Sequence, residues 1–186
     1  MLRRTMLKGI AGLALAVPLV ASCASGKGSG GKSPAARSDI AALLPRMKEF
    51  NRLTEYVRLA GLEDDLAGAG PFTLFAPDDA AFGAVINNAG GGISGTGNRL
   101  NFNQLRRPEN KAKLVRLIKH HLVAGRLDAL AVQRAKTLRT LAGTDLLVTR
   151  QGQRVEIGTA DVVRTNIGAS NGYIHVIDAV LVPPQT

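Results

Sequence analysis

Along the first half of the chain apolar residues recur with a helical period. Ile40, Leu43, Leu44 and Met47 are spaced by three and four, and Leu53, Tyr56, Val57 and Ala60 repeat the pattern. Two helical stretches are predicted, the first capped by Ser38 or Asp39 and the second stopped at Gly61. Pro45 bends or divides the first. Leu62 to Leu66 adds one more short turn. Gly70-Pro71 then breaks the chain before Phe72-Thr73-Leu74-Phe75-Ala76, a short apolar strand. Pro77-Asp78-Asp79-Ala80-Ala81-Phe82 reads as strand exit and helix entry, with an aspartate as cap and Phe82 returning to the core. The clearest helix opens at Pro108-Glu109-Asn110. Its stripe is Leu114, Leu117, Ile118, His121 and Leu122, with Lys111, Lys113, Arg116 and Lys119 largely off it and Gly125 ending it.

From Thr137 onward the period changes to two. Thr144 to Thr149, Arg154 to Ile157, Val162 to Thr165 and Tyr173 to Leu181 are predicted strands, separated by turn signals at Gln151-Gly152, Gly158 and Asn171-Gly172. Helices precede a β-meander, so the fold class is α+β. A length of 186 residues suits one globular domain plus extras. With 45% hydrophobic residues, 4% aromatic and no Trp, the core must be built from Leu, Val, Ile and Ala, with five Phe as large fillers.

The net charge of +10 suggests an anionic partner until its placement is considered. Six of the 24 Lys and Arg lie in the first 37 residues, ahead of every acid, which leaves 18 cations against 14 acids. That balance is ordinary for a small domain. Residues 1–22 read as an export signal: Arg3, Arg4 and Lys8, an apolar run from Gly9 to Ala21, then small residues. The run is too short to span a bilayer. Val20-Ala21-Ser22-Cys23 resembles a lipobox, which makes Cys23 the expected lipidation site and accounts for the single cysteine. Leu2-Arg3-Arg4-Thr5-Met6-Leu7-Lys8 resembles a twin-arginine signal. Residues 23–37, rich in Gly, Ser and Lys, read as a flexible tether to a domain at 38–186. The expected location is the cell envelope, on the periplasmic or surface side.

Three motifs match in letters only. Gly26 to Ser33 fits the P-loop pattern, yet a signal precedes it and Pro34 follows. Gly90 to Gly95 fits G-x-G-x-x-G, but it follows a predicted helix, the reverse of a dinucleotide fingerprint. Gly168 to Gly172 fits the nucleophile elbow, which needs a helix after its Ser; a strand follows instead. No cofactor is expected.

The run Phe72 to Phe82 resembles the opening block of fasciclin (FAS1) domains, and Asn171 to Pro183 resembles their closing block. Pro108 to Gly125 resembles the helix between them. The resemblance covers about Ser38 to Pro184. It implies a wedge of short strands with packed helices, in which Thr73, Phe75, Pro77, Asp78, Phe82, Asn171, Gly172, His175 and Asp178 are structural. Phe75 and Phe82 would fill the wedge, Ile174 and Val176 would close it, and Asp78 would hold the strand-to-helix turn. The family's Tyr before the helix-end His is His120 here, so the integrin adhesion linked to that segment in animal relatives does not transfer. The segment Gly90 to Asn98 is longer than the loop usual there.

His120 and His121 are about 100° apart on a helix and cannot share a metal from that turn. His121 is expected in the core or at the helix end, His120 at the surface. The basic stretch Arg99, Arg106, Arg107, Lys111, Lys113, Arg116 and Lys119 is a solvated face or an attraction for anionic lipid or acidic polysaccharide. The expected partner-binding set is His120, His121, Arg106, Arg107 and Lys113. No nucleic-acid pattern of exposed aromatics is present. No acid/base or nucleophile set is matched. The reading is therefore a non-catalytic binding module for a cell-surface or matrix protein or polysaccharide, with a monomer expected. An envelope enzyme or small-molecule carrier is the alternative.

Overall fold

The computed structural model describes residues 38–87 and 102–184; the signal, Cys23, the tether and the Gly90 to Asn98 segment lie outside them. Asp39 Oδ1 accepts the Ala42 N–H at 2.7 Å and starts α1 (Ile40–Leu43), after which Pro45 tightens the chain into a 3₁₀ turn over Leu44–Arg46. α2 (Asn51–Ala60) stops at Gly61, whose φ of 71° is the left-handed conformation that glycine adopts freely. The first turn of α2 has no cap from its own segment. Asp79 supplies it, Oδ1 accepting the Arg52 N–H at 2.8 Å and Oδ2 the Asn51 amide at 3.0 Å. α3 (Glu63–Ala67), β1 (Phe72–Pro77) and α4 (Asp79–Asn87) follow. Asp78 caps α4 by accepting the Ala81 N–H at 2.7 Å.

The chain continues through α5 (Phe102–Leu105), a 3₁₀ turn over Pro108–Asn110, α6 (Lys111–His120), β2 (Leu122–Ala124) and α7 (Ala129–Arg134). It ends in β3 (Thr137–Arg139), β4 (Asp145–Gln151), β5 (Arg154–Ile157), β6 (Ala160–Ala169) and β7 (Gly172–Ile177). The strand order is β2-β1-β7-β6-β5-β4-β3, with β1 and β7 parallel and every other pair antiparallel. The two ends of this order meet. Val123 of β2 bridges to Thr140 beyond β3, and the Leu141 N–H donates to Leu122 O at 2.7 Å, so the pairings form a ring.

Two cores result from the alternation of side chains on β1 and β7. Leu74, Ala76, Ile174 and Val176 face the helices and pack with Leu53, Tyr56, Phe82, Leu114, Leu117 and Ile118. Phe75 and Ile177 face the other way and pack with Val123, Leu138, Leu146, Val155 and Ile157 inside the ring. Phe75 and Phe82 are both buried, as expected, but they fill different cores. Past β7 the chain spans both, Val180 entering the helical core and Leu181 the ring core.

Some predicted elements shift. α6 stops at His120, and Leu122 to Ala124 is strand rather than the helix's last turn, because β1 pairs with it: Leu74 lies opposite Leu122 and Phe72 opposite Ala124. β7 ends at Ile177, where the chain leaves the sheet, so Asp178 to Leu181 are not strand. β6 runs longer than Val162 to Thr165 and carries register shifts on either side of Arg164. α7 and β3 were not predicted. The β6–β7 turn is Ser170-Asn171, with Ala169 opposite Gly172.

Gly172 is required for close approach, not for the turn. A Cβ there would lie 1.9 Å from Phe72 O and 3.2 Å from an Ile40 methyl. Gly172→Ala should therefore wedge β1 from β7 and cost about 3 kcal/mol, read as a lower urea midpoint. An unchanged midpoint would show that the two backbones can part without loss.

Candidate functional site

The residues that carry the sequence signature converge on the β1–β7 pair and the segments that cross its ends. Thr73, fully buried, donates from Oγ1 to Gly125 O at 2.7 Å and accepts the Leu127 N–H at 2.9 Å, tying the chain after β2 to the sheet. Asn171 accepts the Ile40 N–H at 3.0 Å through Oδ1, and its amide donates to Leu66 O at 2.7 Å and Gly68 O at 2.8 Å. One turn residue thus fixes α1, α3 and the β6–β7 hairpin together. Asp178 Oδ1 accepts the Asp161 N–H at 2.8 Å. Pro77 ends β1 opposite Ile177. Each of these groups is committed to a backbone partner. Asp79 was overlooked as the cap of α2; the signal was the carboxylate pair Asp78-Asp79, one more acid than a single helix start needs.

All three histidines are buried, with 3% exposure at His120 and 1% at His121 and His175. His121 Nδ1 lies 2.8 Å from Leu117 O, and Nε2 accepts the Leu181 N–H at 3.0 Å, which requires the neutral ring with its proton on Nδ1. Burial holds its pKa down to about 4. His175 stacks on Phe75 with ring centroids 5.6 Å apart, donates from Nε2 to Leu127 O at 2.9 Å, and accepts the Asn166 N–H at 3.4 Å. Its pKa is also lowered by burial.

His120 corrects the expectation of a surface residue. It lies under the turn that follows β3, Nδ1 2.5 Å from Thr144 Oγ1, which in turn meets Thr140 Oγ1 at 2.8 Å. Burial, and secondarily the Arg116 charge, hold its pKa down to about 4. Neither His120 nor His121 presents a face to a partner. The helix ends at His120, ahead of the Leu122 and Gly125 to which the periodicity carries it, and the reversal into β2 turns His120 inward.

Arg106, Arg107 and Lys113 are exposed, as a partner surface requires. Arg106 pairs with Glu55 at 2.7 Å and Arg107 with Glu109 at 3.7 Å, both in solvent. Lys119 pairs with Asp65 at 3.8 Å, and Arg116 donates to Pro184 O at 3.0 Å. The basic stretch is thus partly neutralised.

Among the described residues, two concavities bear on function. Gln151, Arg154, Glu156, Thr159, Asp161 and Asp178 line a polar groove of about 180 Å³ on the outer side of β5 and β6. Leu66, Phe72, Leu122 and Leu141 line an apolar hollow of about 260 Å³ beside Asp65 and Lys119. Neither sets a nucleophile beside a base. Ser170 of the elbow-like motif sits in the hairpin turn, its N–H on Ser38 O, with no helix behind it. Among the described residues no group of three or more His, Cys, Asp and Glu is placed to hold a metal, and no helix is long and apolar enough to cross a membrane.

A strand ring with helices on one side of β1 and β7, its motif residues spent on joining segments, defines a structural α+β module. The family model described as Fasciclin domain matches residues 48–183. The chain belongs to the fasciclin-domain family. It is similar to Protein sll1483 of Synechocystis sp., 38% identical over 136 residues, covering 73% of this chain and 68% of that protein. It is also similar to Immunogenic protein MPB70 of Mycobacterium bovis, 31% identical, covering 64% of this chain and 54% of that one. With Transforming growth factor-beta-induced protein ig-h3 of Sus scrofa the identity is 29%, over only 18% of the longer protein. Among solved structures, a FAS1 domain pair from the insect cell adhesion molecule Fasciclin I superposes with a TM-score of 0.56 at 17% identity, covering 78% of this chain and 51% of the other. That likeness carries the fold.

Proposed function

We propose that this chain is a non-catalytic binding module at the cell envelope, exported by its signal, anchored through a lipid on Cys23, and engaging a protein or polysaccharide by its outer surface. The observation that supports this reading most is the commitment of the signature polar groups. Thr73, Asp78, Asn171, His121, His175 and Asp178 are all satisfied by backbone partners, so none of these signature groups is free to act as an acid, base or nucleophile. The Fasciclin I likeness adds a relative whose description is a cell adhesion molecule. Recognition then falls to exposed groups such as Arg106, Arg107 and Lys113.

Binding is tested with the purified chain on a glycan array and in pull-downs from envelope fractions, at low and raised salt. Saturable capture without conversion of the ligand is expected; turnover of a bound glycan would replace this reading with the enzyme. Anchoring has its own test. Cys23→Ser should move the protein from the membrane fraction to the soluble one, and the native protein's mature terminus should carry a diacylglycerol by mass spectrometry. Unchanged fractionation with an unmodified terminus removes the lipid anchor.

A further inference from the structure

From Arg106 to Lys113 the chain exposes Arg106, Arg107, Lys111 and Lys113 against a single acid, Glu109. The segment projects for a structural reason. α6 turns Leu114, Leu117 and Ile118 to the helical core, which leaves its first turn and the preceding 3₁₀ turn on the outside. The ion pairs Arg106–Glu55 and Arg107–Glu109 are solvent-exposed, so they hold their cations weakly and can exchange a carboxylate for a phosphate. Lys111 and Lys113 have no ion pair among the described residues.

We infer that this strip is a membrane-facing surface that settles on anionic lipid headgroups, setting which side of the tethered domain points away from the cell. The inference rests on the proposed anchor at Cys23. The lipid source is favoured by chain length as well as charge. The fourteen residues from Ala24 to Arg37 can reach no more than about 50 Å, so the domain stays near the bilayer that holds the anchor. The tether is also basic, through Lys27, Lys32 and Arg37, and carries no acid. At about 1 kcal/mol per cation near an anionic surface, the two lysines outside the strip's ion pairs favour the lipid-facing orientation by roughly thirty-fold.

Layer order then decides what faces outward. The helices lie on one side of the β1–β7 pair and the ring core on the other, so β5 and its polar groove are the far side. With the strip on the membrane, Arg154, Glu156 and Asp161 are presented to whatever approaches.

The test uses the full lipidated chain in vesicles of phosphatidylcholine alone or mixed with phosphatidylglycerol. The thioether blocks Cys23, so a fluorophore can be placed by Ala112→Cys, between the two lysines, or by Gln153→Cys in the β4–β5 turn. Lipid-borne quencher should quench position 112 several-fold more than position 153 in the anionic vesicles. The contrast should vanish in neutral vesicles, at raised salt, and in the Lys111→Glu/Lys113→Glu variant, whose exposed positions leave folding intact. Equal quenching at the two positions in anionic vesicles overturns the proposal.

Failure of the anchor is separately visible as a native chain without lipid. The strip is then judged by the Cys23→Ser chain alone, which should cosediment with the anionic vesicles in a salt-sensitive way and lose this with Lys111→Glu/Lys113→Glu. No cosedimentation, or retention on an acidic polysaccharide but not on vesicles, overturns the lipid assignment.

Discussion

Lowering the pH from 6.5 to 4.5 should remove several kcal/mol of stability, well before most carboxylates titrate. His120 and His121 have folded pKa values of about 4, against about 6.5 in the unfolded chain. The folded state therefore binds fewer protons than the unfolded one across this window, and its stability falls as protons are added. The contribution of each ring is complete above pH 6.5 and is lost progressively toward pH 4, about 3 kcal/mol apiece. Two such rings approach the whole stability of an ordinary domain, about 5 to 15 kcal/mol. His175, lowered in the same direction, adds to the effect.

Hydrogen bonding gives this sensitivity its location. A protonated His121 would turn an N–H toward the Leu181 N–H it now accepts, expelling the segment that closes both cores. His120 is more tolerant, because the Thr144 and Thr140 hydroxyls can reverse their donation; its cost is burial of charge. Urea midpoints measured at half-unit steps of pH are the check. A flat profile between pH 6.5 and 4.5 would show that the rings stay neutral or reach water. His121→Gln, whose amide can still accept from Leu181, should remove a large part of the slope while leaving the chain folded at pH 7.5.

Phe75→Ala should cost about 3 to 5 kcal/mol, the range for an aromatic removed from a core that cannot collapse. Phe75 is fully buried at the centre of the ring core, stacked on His175 and flanked by strands that pair on all sides. A ring of hydrogen-bonded strands cannot close onto the vacated space as a helix layer can. For a domain of this size the loss corresponds to a fall in melting temperature of roughly 10 °C or more. A melting temperature within two or three degrees of the parent, to be sought by calorimetry at pH 7.5, would mean that the ring core relaxes freely.

Local signals in the sequence proved readable where the cause is local. Asp39 and Asp78 cap the helices they precede, Gly61 stops α2, and Pro45 tightens the turn after α1. The signature blocks located β1 and β7. What was not legible depends on partners distant in sequence. The split of Phe75 and Phe82 between two cores follows from β1 lying parallel to β7, a pairing across about a hundred residues that no short window contains. Asn171 looked like a turn former because Asn-Gly favours hairpins. Its work is to hold Ile40, Leu66 and Gly68, while Gly172 makes room for Phe72.

α7 escaped notice because it is six residues long. Its start takes a second acceptor, Asn166 Oδ1, from a strand 37 residues later, and Asn166 itself stands at φ 61°. Of the candidate site, the exposed cations were legible and His120 was not. Its neighbours Thr140 and Thr144 come from the turn after β3, which closes the ring above it.

The meeting of β2 with Thr140 and Leu141 bears on how the chain behaves at high local concentration. A sheet with bare outer strands offers unpaired amides on which neighbouring copies can stack into fibres. Here the outer edge of β2 is met by Thr140 and Leu141, so a neighbouring copy has to breach the Val123–Thr140 contact before templated growth can begin on that strand.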